Sequence, residues 1–82
     1  MGSLARFGNV VIKVYGNDHL PPHFHVVAPD FSALIAIDSI AILRGDVPSD
    51  VFGIIREWAE TNRVTLVAEW NRCNPRFQLI EG

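Results

Sequence analysis

Pro21-Pro22 is the feature that most narrows what this chain can fold into, because two consecutive prolines fix two φ angles and remove two backbone donors at once. Neither a regular helix nor a central strand runs through such a pair. The segments on either side must be separate elements with a stiff connection. Upstream, Val10 to Tyr15 is rich in β-branched residues and alternates, with Val10, Ile12 and Val14 on one face and Val11, Lys13 and Tyr15 on the other. Downstream, His23 to Ala28 alternates as well, setting Phe24, Val26 and Ala28 against His23, His25 and Val27. Burying the first set is far more favourable than burying the second. An antiparallel pairing that turns Val10, Ile12, Val14, Phe24 and Val26 to the core therefore predicts Lys13, Tyr15, His23 and His25 together on the open face.

Gly16-Asn17-Asp18 supplies turn chemistry before the prolines, and Pro29-Asp30 supplies a second turn. Ser32 to Asp38 reads as a third strand and Ile40 to Leu43 as a short fourth, ended by Arg44-Gly45-Asp46. Ser49 is the expected N-cap of a helix, with Asp46 competing for that role and Asp50 favourable to the dipole. Val51, Ile54, Ile55, Trp58 and Ala59 form its apolar stripe, opposite Arg56, Glu57, Glu60 and Arg63, and Arg56 and Glu60 are spaced to pair. Val64 to Trp70 reads two ways: Val64-Thr65-Leu66-Val67 suits a strand, whereas Trp58, Asn62, Leu66 and Trp70 keep a helical spacing. Asn74-Pro75 breaks what precedes it, and Phe77 and Leu79 alternate as a short final strand. The expected fold is α+β: a mainly antiparallel meander of four or five strands, one long C-terminal helix from about Ser49 to about Arg72 on one face, and a short final strand, in a single domain spanning 1–82.

Eighty-two residues, 49% apolar and 20% charged, suit a small globular core. The single Cys73 cannot form an intrachain disulfide, and no apolar run is long enough for a membrane helix. The first residues lack the apolar region of a leader, and Arg6 stands where a myristoylation signal wants Ser or Thr. A mature, soluble, cytoplasmic protein is expected. The net charge of -2 argues against generic nucleic-acid binding. Arg56, Arg63, Arg72 and Arg76 are interleaved with Glu57, Glu60, Glu69 and Glu81, as on a solvated mixed-charge helix face.

Every histidine of the chain, His19, His23 and His25, lies between Asn17 and Val26. The surrounding residues Tyr15, Asn17-Asp18-His19 and Pro21-Pro22-His23-Phe24-His25-Val26, with Gly45, Pro48, Glu57-Trp58, Leu66 and Trp70, resemble one bacterial family, domain of unknown function 4160, over roughly Phe7 to Ile80. The resemblance implies helix through Leu66 and Trp70. It implies a small cytoplasmic protein encoded beside another small domain, in some members labelled the toxin of a type II toxin–antitoxin pair. Asp18, His19, His23 and His25 carry over as signature positions without assigned chemistry.

Four readings of the signature follow. His23 and His25, two apart on a strand, with His19 or Asp18 from the turn, can direct ligands at one divalent metal such as Zn²⁺, Ni²⁺ or Mn²⁺. A cupin site is excluded, because no histidine follows His25. Metal-free acid–base chemistry on Lys13, Tyr15, His23 and His25, with His19 and Asp18 in support, suits a ribonuclease-like hydrolase acting on RNA. A third reading is a rigid docking loop for the neighbouring gene's small protein, and the fourth is purely structural. Trp58 and Trp70 are expected in the core, Tyr15 at a core edge or serving the site, and Cys73 without a role. The expected function is a toxin-like, RNA-cleaving component of a two-gene pair; a partner-binding module and a metal-binding protein are the alternatives, and a homo-oligomer is compatible with either.

Overall fold

The computed structural model describes residues 2–16 and 21–75. Five strands, β1 (Gly2–Phe7), β2 (Val10–Val14), β3 (His23–Val27), β4 (Ser32–Ala36) and β5 (Ile42–Gly45), precede two helices, α1 (Ser49–Thr61) and α2 (Arg63–Cys73). The strands form one antiparallel sheet in sequence order. The expected α+β meander is therefore present, with its fifth strand at the N-terminus. Gly2-Ser3-Leu4-Ala5-Arg6-Phe7 contains no β-branched residue, so nothing local announces β1; pairing with β2 creates it. The expected final strand around Phe77 and Leu79 lies outside the described residues.

The register between β2 and β3 sets Ile12 opposite Val26 and Lys13 opposite His25, and β4 sets Ile35 opposite Phe24. Val10, Ile12, Val14, Phe24, Val26 and Ile35 thus share one face, and all are buried. Ile55 and Ala59 of α1 and Leu66, Val67 and Trp70 of α2 close over them, each large side chain contributing about 1.5–3 kcal/mol through burial. Trp58 is half-buried, edge-on to Phe7 with ring centroids 6.2 Å apart. Ile54, placed on the same stripe by the helical spacing, is instead 53% exposed.

One long helix was expected; two are present, and Asn62 separates them. Its backbone (φ -111, ψ 28) is non-helical, its N–H donates to the Trp58 carbonyl, and its side-chain amide donates to the same oxygen at 2.9 Å. An Asn that satisfies its own helix end in this way competes with continuation of the helix. Beyond it Val64 to Trp70 is helical, with Val64 exposed and Leu66, Val67 and Trp70 buried. The N-cap also differs from expectation: Pro48 occupies that position and Ser49 is already helical, with no side-chain cap. The Phe52 N–H closes the first turn on the Pro48 carbonyl at 2.8 Å. Arg56 and Glu60 pair at 3.1 Å, as their spacing implied.

Two positions along β4 and β5 are conformationally costly, Ile40 in the turn that joins them and Gly45 at the far end of β5. Ile40 has φ 53, a conformation that strains a β-branched residue, yet it is buried and its N–H donates to the Ala36 carbonyl at 3.0 Å. Arg63, at the start of α2, reaches this turn and donates from Nη1 to the Ile37 and Asp38 carbonyls, each at 2.8 Å. Gly45 at φ 87 brings β5 so close to β4 that a Cβ there would run into the Ser32 carbonyl and stand 2.9 Å from the Ala33 Cα. Gly45→Ala is expected to cost about 2 kcal/mol or more, from positive φ and backbone collision together. Thermal unfolding followed by circular dichroism should show a fall of roughly 8–16 °C; a shift under about 2 °C would contradict this account.

Candidate functional site on the open sheet face

Opposed residues of an antiparallel pair project from the same face. The pairings Lys13 with His25, His25 with Leu34, and Leu34 with Arg44 therefore draw one row across β2, β3, β4 and β5 on the face away from the helices. The neighbouring row runs Arg6, Val11, Val27 and Ser32 across β1 to β4. The five strands contain no Asp or Glu, while they carry Arg6, Lys13 and Arg44. The acidic net charge is thus unevenly distributed. Among the described residues, Asp50, Glu57, Glu60 and Glu69 belong to the helices, Asp30 and Asp46 lie beyond the strands at one end of the sheet, and Asp38 lies in the β4–β5 turn at the other.

His25 sits at the centre of the first row, half-buried, with the exposed Tyr15 ring edge-on to it at 4.4 Å and 81°. Lys13 is directly opposite. The expected meeting of Lys13, Tyr15 and His25 therefore occurs.

His23 does not join them as expected. Strand parity gives it the same direction as His25, but it is only 4% exposed. The cause is tertiary: the C-terminal turn of α2 covers the end of the sheet where β3 begins. Trp70 lies 5.5 Å from the His23 ring, and Asn74, itself buried, donates from its amide to the Tyr15 carbonyl at 3.0 Å. The Pro21 carbonyl lies 2.8 Å from His23 Nδ1, and a carbonyl only accepts, so Nδ1 carries the proton. The adjacent Pro22 carbonyl accepts from the Ile37 N–H at 3.1 Å. The double proline, which cannot donate, is thus braced through its acceptors, one by an imidazole and one by the Ile37 N–H just past β4.

The His23 and His25 rings stand 5.1 Å apart, tilted by 55°. Asp18 and His19 lie outside the described residues, and with them the third donor of the expected metal set His19, His23 and His25. Among the described residues no three His, Cys, Asp or Glu side chains are grouped to hold a metal ion. Cys73, partly buried at the end of α2, lies with its Sγ 3.6 Å from Glu69 Oε2. The Arg72 guanidinium, hydrogen-bonded to Glu69, holds that carboxyl below the usual carboxylate range.

Ser32, Leu34 and Arg44, which the sequence did not single out as site residues, belong to this face together with the signature position Gly45. Ser32, Leu34, Arg44 and Gly45, with His25 and Val27, line a cavity of about 230 Å³ over β3, β4 and β5. Leu34 is hidden within the continuous apolar run from Ala33 to Ile37, and Arg44 reads as part of a turn. The β3–β4 pairing sets Leu34 opposite His25, and the β4–β5 register, which shifts between Leu34 and Ile35, sets Arg44 opposite Leu34. Among the described residues, no helix is long and apolar enough to cross a membrane.

A model of one family, described as a domain of unknown function (DUF4160), matches residues 9–71. No curated protein and no solved structure matches the chain.

The two described histidines should separate on substitution. His23→Ala empties a buried position and strips the Pro21 carbonyl of its partner, so it is expected to cost about 2 kcal/mol or more in urea denaturation. His25→Ala, on the half-buried face, should stay within about 1 kcal/mol of wild type. Equal losses would place the two imidazoles in equivalent surroundings and refute the distinction.

Proposed function

The chain belongs to the domain of unknown function 4160 family, and on that premise we propose that it is the toxin-like component of a two-gene pair, acting on RNA through its open sheet face. The observation that carries this reading is the row Lys13, His25, Leu34, Arg44 on strands that hold no carboxylate. A polyanion meets there two fixed cations flanking an imidazole, whatever the net charge of the whole chain.

The same row suits RNA cleavage without a metal. His25 as general base takes the proton of a ribose 2′-hydroxyl; the freed oxygen attacks the adjacent phosphorus, and the P–O5′ bond breaks. The leaving oxygen takes a proton from the Lys13 ammonium or the Tyr15 hydroxyl, giving a 2′,3′-cyclic phosphate and a 5′-hydroxyl. The remaining cationic charge steadies the phosphorane-like transition state. His23 has no part in these steps, because it is buried beneath Trp70. On this reading the protein acts in the cytoplasm, on RNA and in a pair with the small protein encoded by the neighbouring gene.

A second reading, partner binding without catalysis, is favoured by β5, an edge strand whose four residues are all exposed, Ile42 and Leu43 included. An edge with open backbone groups is a ready place for an added strand.

Expression of the wild type without its partner is expected to inhibit growth, and His25→Ala, folded as judged by its melting, to relieve inhibition and lower RNA cleavage by 10²-fold or more. Inhibition equal in the two proteins, or none in the wild type, would overturn the toxin reading. A complex with the neighbouring protein that is lost on Leu43→Asp, without any growth effect of either chain, would decide for the binding module.

A further inference from the structure

The cavity beside His25 has a shape and a lining that general affinity for anions does not explain. Arg44 stands on one side and His25 on the other, two inter-strand spacings apart, or about 10 Å. Leu34 lies between them as an apolar floor, Val27 extends it, and Ser32 adds a hydroxyl at the rim. Its volume of about 230 Å³ falls below the roughly 300–1,000 Å³ of pockets that enclose a free small molecule. A ligand that fits must therefore continue outside. On the far side of His25, one spacing on, is Lys13, and Arg6 lies on the adjoining row. The cationic groups thus extend beyond the cavity along the route such a ligand would take.

We propose that this cavity seats one nucleotide of a single-stranded RNA, with the Arg44 guanidinium on its phosphate, its base on Leu34 and Val27, and the following phosphate at Lys13. The inference rests on the RNA-directed reading above and adds to it the strandedness of the substrate and the residues that hold it. Arg44 presents a planar fork that matches two phosphate oxygens. An apolar floor between two cations takes a base only when that base is unstacked, which a duplex does not offer and a single strand does. Tyr15, exposed and edge-on to His25, provides an aromatic surface for the next base. Placing the nucleotide between Arg44 and Lys13 also brings its ribose over His25, where the 2′-hydroxyl proton has to be taken.

The test is fluorescence anisotropy of the full chain with a labelled ten-nucleotide single-stranded RNA and with the same sequence as a duplex, the concentration of added salt being varied. Three phosphate contacts, at Arg6, Lys13 and Arg44, predict a slope of log affinity on log salt of about -2, so that affinity falls about twentyfold between about 50 and about 200 mM. Arg44→Ala should weaken binding about tenfold and flatten that slope by about 0.7. Ser32→Glu, which places a carboxylate at the rim through an exposed position, should weaken it comparably, and Arg56→Ala on α1 should leave it unchanged. Melting curves control for folding in each variant. Duplex bound as tightly as single strand, or Arg44→Ala and Ser32→Glu no weaker than Arg56→Ala, would overturn the proposal. The two readings fail separately. Binding of this kind without growth inhibition keeps the nucleotide site and removes the toxin; inhibition that depends on His25 but not on Arg44 or Ser32 keeps the toxin and removes the site.

Discussion

The hydrogen bonds of Asn74 hold the end of α2 against the sheet and set how much of the histidine cluster stays on its open face. Its side-chain amide lies within donating distance of the Tyr15 carbonyl at 3.0 Å and the Trp70 carbonyl at 3.3 Å, joining the end of α2 to the end of β2 across 59 residues of sequence. Because the group is buried, losing either partner would leave a polar atom away from water, which makes the geometry stringent. Gly16 belongs to the same junction. A Cβ there would stand 3.2 Å from the Cys73 carbonyl, so a side chain at this position would push the helix end away. With α2 tied down, Trp70 is held over His23, and Pro21 and Pro22 are pinned by their carbonyls between that imidazole and the Ile37 N–H just past β4.

This junction divides the work of the two described histidines. His23 faces a covered sheet end and acts as a brace, whereas His25, two residues on, stays at the surface between Lys13 and Leu34. The antiparallel meander then supplies what the loop alone lacks. Each strand adds one residue to the row through His25, and because the strands carry cations but no carboxylates, the row becomes a track of one sign. The helices take the opposite part, placing Glu57, Glu60 and Glu69 on the other side of the core beside Arg56 and Arg72. A protein with net charge -2 can in this way present a cationic surface.

Much of the sheet was legible because its signal is local. Period-two alternation in Val10 to Val14 and His23 to Val27 carries the face assignment in the residues themselves, and a one-residue slip would turn Phe24 to water and His25 to the core. From Val64 to Trp70 the residues themselves read two ways; helix was what the family resemblance implied, and the helical spacing of Leu66 and Trp70 prevailed over the β-branched Val64 and Thr65 once a sheet was there to receive it. What the pattern could not show was set by partners distant in sequence. β1 lacks β-branched residues and owes its conformation to β2. The break at Asn62 depends on whether a side-chain amide folds back onto Trp58 or faces solvent, and spacing is the same in both cases.

The sequence by itself determined the stiff proline connection, the strand faces, the helical stripe and the clustering of the histidines, since each follows from backbone restriction or periodicity within a few residues. Tertiary structure alone decided that His23 is buried and His25 is not. Parity gives both the same direction, and only the packing of Trp70 and the Asn74 tether distinguishes them. It also decided that Leu34 and Arg44 stand in line with His25 to form a cavity, because cross-strand register in β3–β4 and β4–β5 is set between segments and not within any one of them. Side-chain direction is a property of a strand; burial and adjacency are properties of what folds over it.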